Sequence, residues 1–371
     1  MLYYANFRNK NPLNGMQHLN IPDFEIIAGE LIKYRGLSEN ITIPDTVKII
    51  NSGAFDNLYI ESVVIPDSVT TICSFAFSQC AISKIIIPKS ISNIEDGAFA
   101  GCISLKSIKV DENNAHYSSY NNILYNKNKT TLIYCPKDIC NFTIPTSVNT
   151  IGAYAFNKCE NLTNISIPIS VKSIGNQAFS WCRNLTNISI PDSVTVIGKE
   201  AFMGCESLKS IILPNGIQTI PYGLFSKCTR LTSVEIPFSV TSIAYQAFKE
   251  CPRLKDIEIP NTVRPLYITE SFDSWTTIHY KKNGCYIATC VYGSYDCPQV
   301  WTLRRYRDNI LAKTWYGRAF IHTYYTISPT IVNLFGKKEW FKKMWKWKLD
   351  RMVVILLSKG VKNTPYNDEN W

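Results

Sequence analysis

The chain offers little of what acid–base or metal chemistry needs. It has 371 residues but only 4 histidines, and no group of His, Asp and Glu converges along its repeating surface. General acid–base catalysis and tetrahedral metal centres both require such groups at close quarters. No catalytic residue, metal or cofactor is therefore assigned. No run approaches the ~18 apolar residues of a membrane span; the longest late run is 352–357. The first ten residues, MLYYANFRNK, lack the apolar core of a secretory signal. The expected location is cytoplasmic or peripheral to a membrane, with export by a route that leaves no N-terminal signal kept open.

Net charge is absent over most of the length. Residues 1–280 carry 23 basic and 23 acidic side chains, whereas 281–371 carry 16 and 6, the whole of the +10. A surplus confined to one end points to a tail that meets something anionic.

Present instead is a repeat. Prolines recur at Pro22, Pro44, Pro66 and Pro88, 22 residues apart, then at Pro145, Pro168, Pro191, Pro214, Pro237 and Pro260, 23 apart. Around most of them runs I-P-x-S-V-x-x-I, then A-F-x-x-C, then L-x-x-I-x-I. A period in this range with apolar residues in constant phase marks a leucine-rich-repeat solenoid, in which each coil needs its neighbours to bury its core. The fold expected is a mainly β, right-handed solenoid of short strands and turns over 21–280. A small helical domain follows over 285–359, between an N-terminal extension at 1–20 and a tail at 360–371.

One coil shows the logic. Leu162, Ile165 and Ile167 point inward from a strand that Pro168 ends, since proline has no N–H for a ladder. Val171 and Ile174 start the return side, Gly175 permits a turn, and Ala178-Phe179 plug the coil. Of 13 cysteines, Cys80, Cys102, Cys159, Cys182, Cys205, Cys228 and Cys251 share the slot three residues after the phenylalanine. Small buried thiols suit that slot, although coils one strand spacing apart, roughly 5 Å, would also let neighbours bridge. An apolar alternation around Ala28-Gly29 predicts an N-terminal capping hairpin. The long gap between Pro88 and Pro145 predicts a hairpin excursion at about 111–144. Ser271-Phe272 and Trp275 mark a worn last coil, with a closing strand after it.

By strand alternation the concave face presents Lys84 and Lys109 early, then Asn164, Ser166, Asn187, Ser189, Ser210 and Ser233, and last Glu235, Asp256 and Glu258. Two uses fit: a surface for a protein or glycan partner, or a solvated face without one. The Ile-Pro, Ala-Phe-x-x-Cys and Leu-x-x-Ile-x-Ile elements over roughly 20–280 resemble the BspA-like leucine-rich repeats of bacterial surface and host-contact proteins. The resemblance implies the solenoid and a binding role of unstated specificity.

After Gly284 the composition changes. Asp296 to Gln299, with Pro298, reads as a helix start, and Val300, Leu303, Tyr306, Ile310 and Leu311 give an apolar stripe bordered by Arg304, Arg305 and Arg307. Gly317 is expected to break that helix. Ser328-Pro329 is expected to start a short third one ending at Gly336. Cys285, Tyr286, Ile287, Ala288 and Thr289, with Tyr292-Gly293-Ser294, Arg304, Arg305 and Gly317-Arg318, resemble the CFI-box C-terminal domain of diverse bacterial proteins, a resemblance that implies no activity. Cys285 is the one candidate for a reactive thiol, given nearby cations and His322; a packed, unreactive cysteine is the alternative. The spacing of Cys285, Cys290 and Cys297 does not suit zinc.

The last helix, 337–359, is basic and aromatic. On a helical wheel Trp340, Phe341, Met344, Trp345 and Trp347 fall together, and Lys342, Lys343 and Lys346 fall opposite. That layout suits an anionic membrane surface. Burial against the protein's own helices fits equally, and single-stranded nucleic acid ranks third and is not expected as the partner. The functional expectation is a non-catalytic interaction protein whose repeats bind a protein or glycan and whose basic helical module localises or anchors it. The alternatives are a thiol-dependent enzyme or processing module centred on Cys285, and a structural assembly protein.

Overall fold

The computed structural model describes residues 23–260, 263, 268–281, 286–292, 297–336 and 338–364. The 1–20 extension, Cys285 and the end of the tail lie outside them. The fold is mostly β, a solenoid of about 11 turns with helices at its C-terminal end. Contacts divide it into two compact units, one up to Lys127 and one from Asn128.

The first unit opens with an antiparallel hairpin of Phe24–Ile27 and Glu30–Tyr34. Ala28 and Gly29 turn it with φ of 51° and 83°, the left-handed pair that a two-residue hairpin of the strands' own twist requires. Parallel coils follow, each contributing one strand to each of two sheets. Asn40–Thr42, Ser62–Val64, Lys84–Ile87 and Ser107–Val110 form the wider sheet. The narrower sheet adds Ile49–Ile50, Thr71–Ile72 and Asn93–Ile94 to the opening hairpin. A second hairpin, Tyr117–Tyr120 with Ile123–Asn126, turns on left-handed Asn121 and Asn122. It docks on the last wide strand, where Val110 N–H donates to Ser119 Oγ at 3.0 Å and Ser107 Oγ to Asn122 Oδ1 at 2.9 Å.

The second unit repeats the scheme. Asn141–Thr143, Asn164–Ser166 and Asn187–Ser189 pair in parallel, as do Ser210–Ile212 with Ser233–Glu235 and Asp256–Pro260 with Thr277–Lys281. Thr131–Tyr134, Thr150–Ile151, Ser173–Ile174 and Val196–Ile197 form the narrow ladder. Between the sheets the phenylalanines stack. Phe179, Phe202 and Phe225 are fully buried. The Phe179–Phe202 rings stand 5.3 Å apart at 2° and the Phe202–Phe225 rings 5.7 Å apart at 11°. Their amides also reach to the next coil: Phe179 N–H donates to Ala201 O at 2.8 Å, Phe202 N–H to Leu224 O at 3.1 Å and Phe225 N–H to Ala247 O at 2.8 Å.

The turn carried by each Ala-Phe is made differently from the sequence expectation. Gly175 does not sit at positive φ. Its bare Cα lets two coils approach, since a Cβ there would stand 2.5 Å from Ala153 N. The left-handed positions are Gln177 and Trp181, φ 51° and 61°, flanking Ala178-Phe179. Both donate their amides to the next coil, to Lys199 O and Met203 O, and these bonds offset the cost of a left-handed non-glycine residue.

The worn last coil closes the stack. Phe272 lies 4.9 Å from Phe248 at 3°. Asp273, one residue on, accepts from Glu250 N–H at 3.1 Å and Cys251 N–H at 2.9 Å. Its carboxylate thus takes the Glu250 amide, whose counterpart in earlier coils goes to the next coil's carbonyl, as Trp181 N–H goes to Met203 O, and the Cys251 amide with it. Trp275 leaves the cysteine slot and is 48% exposed, lying under Lys255.

Helices α1 (Ile268–Ser271), α2 (Tyr286–Tyr292), α3 (Pro298–Asn309), α4 (Trp315–Phe335) and α5 (Glu339–Ser358) complete the chain. Two expectations about them are corrected. Gly317 does not break a helix; it lies in the first turn of α4, where Thr314 Oγ1 caps its N–H at 3.1 Å. A side chain there would strike Leu311 O. Ser328-Pro329 starts nothing, because α4 runs through it.

The interior phenylalanines should carry much of the solenoid's stability. Phe202→Ala removes a fully buried ring stacked on both sides and should cost about 3–5 kcal/mol. Chemical denaturation checks this, and an unchanged midpoint would remove Phe202 from the core.

Candidate functional site

The wide sheets expose the polar positions expected of them. Asn164, Ser166, Asn187, Ser189, Ser210, Ser233, Glu235, Asp256, Glu258, Lys84 and Lys109 are all exposed. Parallel register aligns them in files. Asn141, Asn164 and Asn187 form one, and Thr143, Ser166 and Ser189 run beside it. Asn164 Nδ2 donates to Asn141 Oδ1 at 3.1 Å. At the acidic end Asp256 Oδ1 lies 3.1 Å from His279 Nε2, a neighbour that the sequence reading did not group with it. Glu258 stands in register with the same histidine. In the first unit Lys84 pairs with Ser62 and Ser107, and Lys109 with Ile86. The face grades from amide and hydroxyl groups to carboxylates. No group of three or more His, Cys, Asp or Glu placed to hold a metal occurs among the described residues.

The helical module has its own small core of Ala288, Val300, Leu303, Val353 and Leu356. Of the residues whose order resembles a CFI-box, Ile287 and Ala288 are buried, and Ile287 N–H donates to Tyr324 Oη at 3.0 Å. Cys285 and the side chains of Tyr286 and Thr289 lie outside the described residues. Arg304 is buried, Arg305 donates to Lys362 O and Thr364 O at 2.8 Å, and Arg318 donates to Ala312 O at 3.0 Å. Arg305 and Arg318 thus tie α3 to the segment after α5 and α4 to the turn before it. Buried Arg307 pairs with Asp308.

Helix α5 is rotated relative to the sequence expectation. Phe341 is buried, and Trp345 is half-buried and tilted against it at 6.2 Å, so both leave the outer aromatic face. Lys342 is half-buried and lies 3.7 Å from Glu339. Trp340 and Trp347 remain outside at 56% and 60% exposure. Lys343, Lys346 and Lys348 are exposed beside them, and the Arg351 guanidinium stacks 5.0 Å from the Trp347 ring centre. Met344, Val354, Ile355 and Leu357 are exposed too. Asp350 accepts from Tyr292 Oη at 2.8 Å and lies 3.3 Å from Lys346. Burial, then Asp350, pushes the Tyr292 hydroxyl up. No helix among the described residues is long and apolar enough to cross a membrane.

The repeat cysteines have a specific partner that spacing alone did not reveal. Each thiol donates backward to the carbonyl of an earlier coil. Cys182 Sγ reaches Phe156 O at 3.1 Å, Cys205 reaches Phe179 O at 3.3 Å, Cys228 reaches Phe202 O at 3.2 Å and Cys251 reaches Phe225 O at 3.1 Å. All are free thiols. Burial pushes Cys182, Cys205 and Cys228 well above the ordinary thiol range and Cys251 up to about 12. A protonated, sealed thiol is a poor nucleophile, so these residues are structural.

A family profile described as a BspA type leucine-rich repeat region matches residues 27–143 and 149–279, in six copies. Among solved structures, a leucine-rich repeat protein from Eubacterium ventriosum is 27% identical with a TM-score of 0.56, over 66% of this chain and 78% of that one. The pneumococcal vaccine antigen PcpA is 25% identical with a TM-score of 0.58, over 66% of this chain and 63% of that one. The chain therefore spans less than two thirds of the antigen. No curated protein matches the chain.

The buried thiols predict an alkaline limit to stability. In the unfolded chain a thiol ionises from about pH 8.5; in the folded chain it stays protonated. Above that pH the unfolded state binds fewer protons, so stability falls, by up to about 1.4 kcal/mol per pH unit for each thiol. The triple variant Cys182→Ala, Cys205→Ala, Cys228→Ala should be less stable at neutral pH, yet lose stability more slowly between about pH 8.5 and 11. Denaturant midpoints across that range check it; parallel slopes for variant and parent would contradict it.

Proposed function

The chain belongs to the BspA type leucine-rich repeat family, and from that premise we propose that it is a non-catalytic interaction protein. The family points to a protein-interaction or surface role. Within that role, the wide-sheet face binds a protein or glycan partner, and the C-terminal module, read here as a CFI-box domain, localises it. The carrying observation is the file of exposed amides and hydroxyls, Asn164 and Asn187 beside Ser166 and Ser189, held in register by parallel pairing. Such a surface presents donors and acceptors at one strand spacing, roughly 4.8 Å. It is preorganised, so a partner that matches it meets little ordering cost. Acidic Glu235, Asp256 and Glu258 at the far end would favour a partner with a basic patch.

The thiol-enzyme reading gains no support from the repeats, where burial keeps the thiols protonated. It would rest on Cys285 alone. A peripheral location fits the module's surplus charge, and the next subsection deepens that half of the reading.

The binding half is tested with the intact chain on an array of glycans and on cell-surface protein extracts. Asn164→Arg with Ser189→Arg changes the wide face. Thr150→Arg with Ser173→Arg changes the narrow sheet as a control. Ligands captured by the parent should be weakened at least tenfold by the first pair and kept by the second. Ligands indifferent to the first pair, or lost with the second, would contradict the assignment.

A further inference from the structure

Resting on the localising role just proposed, we infer that α5 lies along the surface of an anionic lipid bilayer through an outward stripe centred on Trp340, Trp347 and Val354. These three residues are seven apart, two helical turns each time, so they form a line of about 20 Å on one side of the helix. They are 56%, 60% and 66% exposed. The opposite side supplies Phe341, Val353 and Leu356 to the protein interior. The helix therefore already has its packing partner, and its outer stripe is left over once the module's core is complete.

Charge decides what covers that stripe. Lys343 and Arg351 border it, and Arg351 stacks on Trp347, which keeps the cation at the level of the ring. The segment 281–371 holds the entire +10 of the chain. A second copy of the module would set one large positive charge against another. An anionic bilayer supplies the opposite charge over a whole surface. Tryptophan favours the headgroup level, where its ring is apolar and its N–H is wet, and basic residues flanking such a stripe are the pattern of helices that lie in the interface. The helix is not apolar enough to cross, so it stays parallel to the surface. This differs from the reading based on spacing alone, which placed Phe341 and Trp345 in the lipid face; both turn inward.

The experiment uses the full-length chain and vesicles of phosphatidylcholine, with and without about one third phosphatidylserine, in co-sedimentation at ~0.1 M and ~1 M salt. Binding is expected only to the anionic vesicles, and high salt should weaken it without abolishing it, because the tryptophan contact is not screened. Trp340→Ser with Trp347→Ser should weaken binding at least tenfold, as should Lys343→Glu with Arg351→Glu. Both pairs are exposed, and an unchanged melting curve confirms that each variant folds. Ile212→Ser, on the exposed wide sheet, should bind as the parent does. Three results would overturn the inference: no binding to anionic vesicles, binding indifferent to the tryptophan pair, or a dimer in sedimentation velocity that the tryptophan pair dissolves. Retention of single-stranded nucleic acid with no vesicle binding would overturn it as well. None of these bears on ligands of the wide sheet, so the binding half of the proposed function stands or falls separately.

Discussion

In the second unit a phenylalanine ring in each coil lies flat against the ring of the next, and the amide of the same residue bonds to that next coil's backbone. Phe179, Phe202 and Phe225 show the arrangement, with ring centres 5.3 and 5.7 Å apart. Ring stacking and backbone pairing act across the same gap. Neither can shift without the other, because strand spacing near 4.8 Å is close to what stacked rings tolerate. The cysteine thiol adds a third bond, to the phenylalanine carbonyl one coil back. Each coil is thus tied to its neighbours at one point of the turn by an apolar contact, an N–H bond and an S–H bond.

This concentration of stabilising contacts inside leaves the outside unconstrained. The wide-sheet files of Asn164, Ser166, Asn187 and Ser189 add little to the core, so their identities are free to serve recognition. The opening coil of the first unit and the last coil of the second do carry constraint. The opening hairpin of Phe24–Ile27 and Glu30–Tyr34 pairs with the first narrow strand, and in the worn last coil the Asp273 carboxylate takes the Glu250 and Cys251 amides. A solenoid without such ends would expose ready edges for association.

Much of this was legible from residue order. The 22- and 23-residue periods, the inward leucines and isoleucines, the turn at Ala28-Gly29 and the closing strand all follow from phase and turn chemistry. Three features were not. A glycine reads as a turn residue, but Gly175 is needed for close approach while Gln177 and Trp181 take the left-handed positions; only contacts between coils distinguish these roles. Ser328-Pro329 looks alike at a helix start and inside α4, because a two-residue signal is outweighed by the packing of the longer helix. Most consequentially, a helix with aromatics on several sides has no unique inward face. Tertiary packing decides the face: Val353 and Leu356 meet Ala288, Val300 and Leu303 and Phe341 lies against Phe335 of α4, and those contacts are invisible to a helical wheel. The candidate sheet residues, by contrast, were placed correctly as outward, because alternation in a strand leaves two choices and the core fixes one.

The account depends on the coils of the second unit behaving as one cooperative stack, and native-state hydrogen exchange measures that directly. The amides of Phe179, Phe202 and Phe225, each bonded to the following coil, should be among the slowest in the chain. Their opening free energies should converge on a single value as denaturant is raised. Exchange of these three amides at separate rates close to those of exposed turns would show coils that open one at a time and would contradict the account.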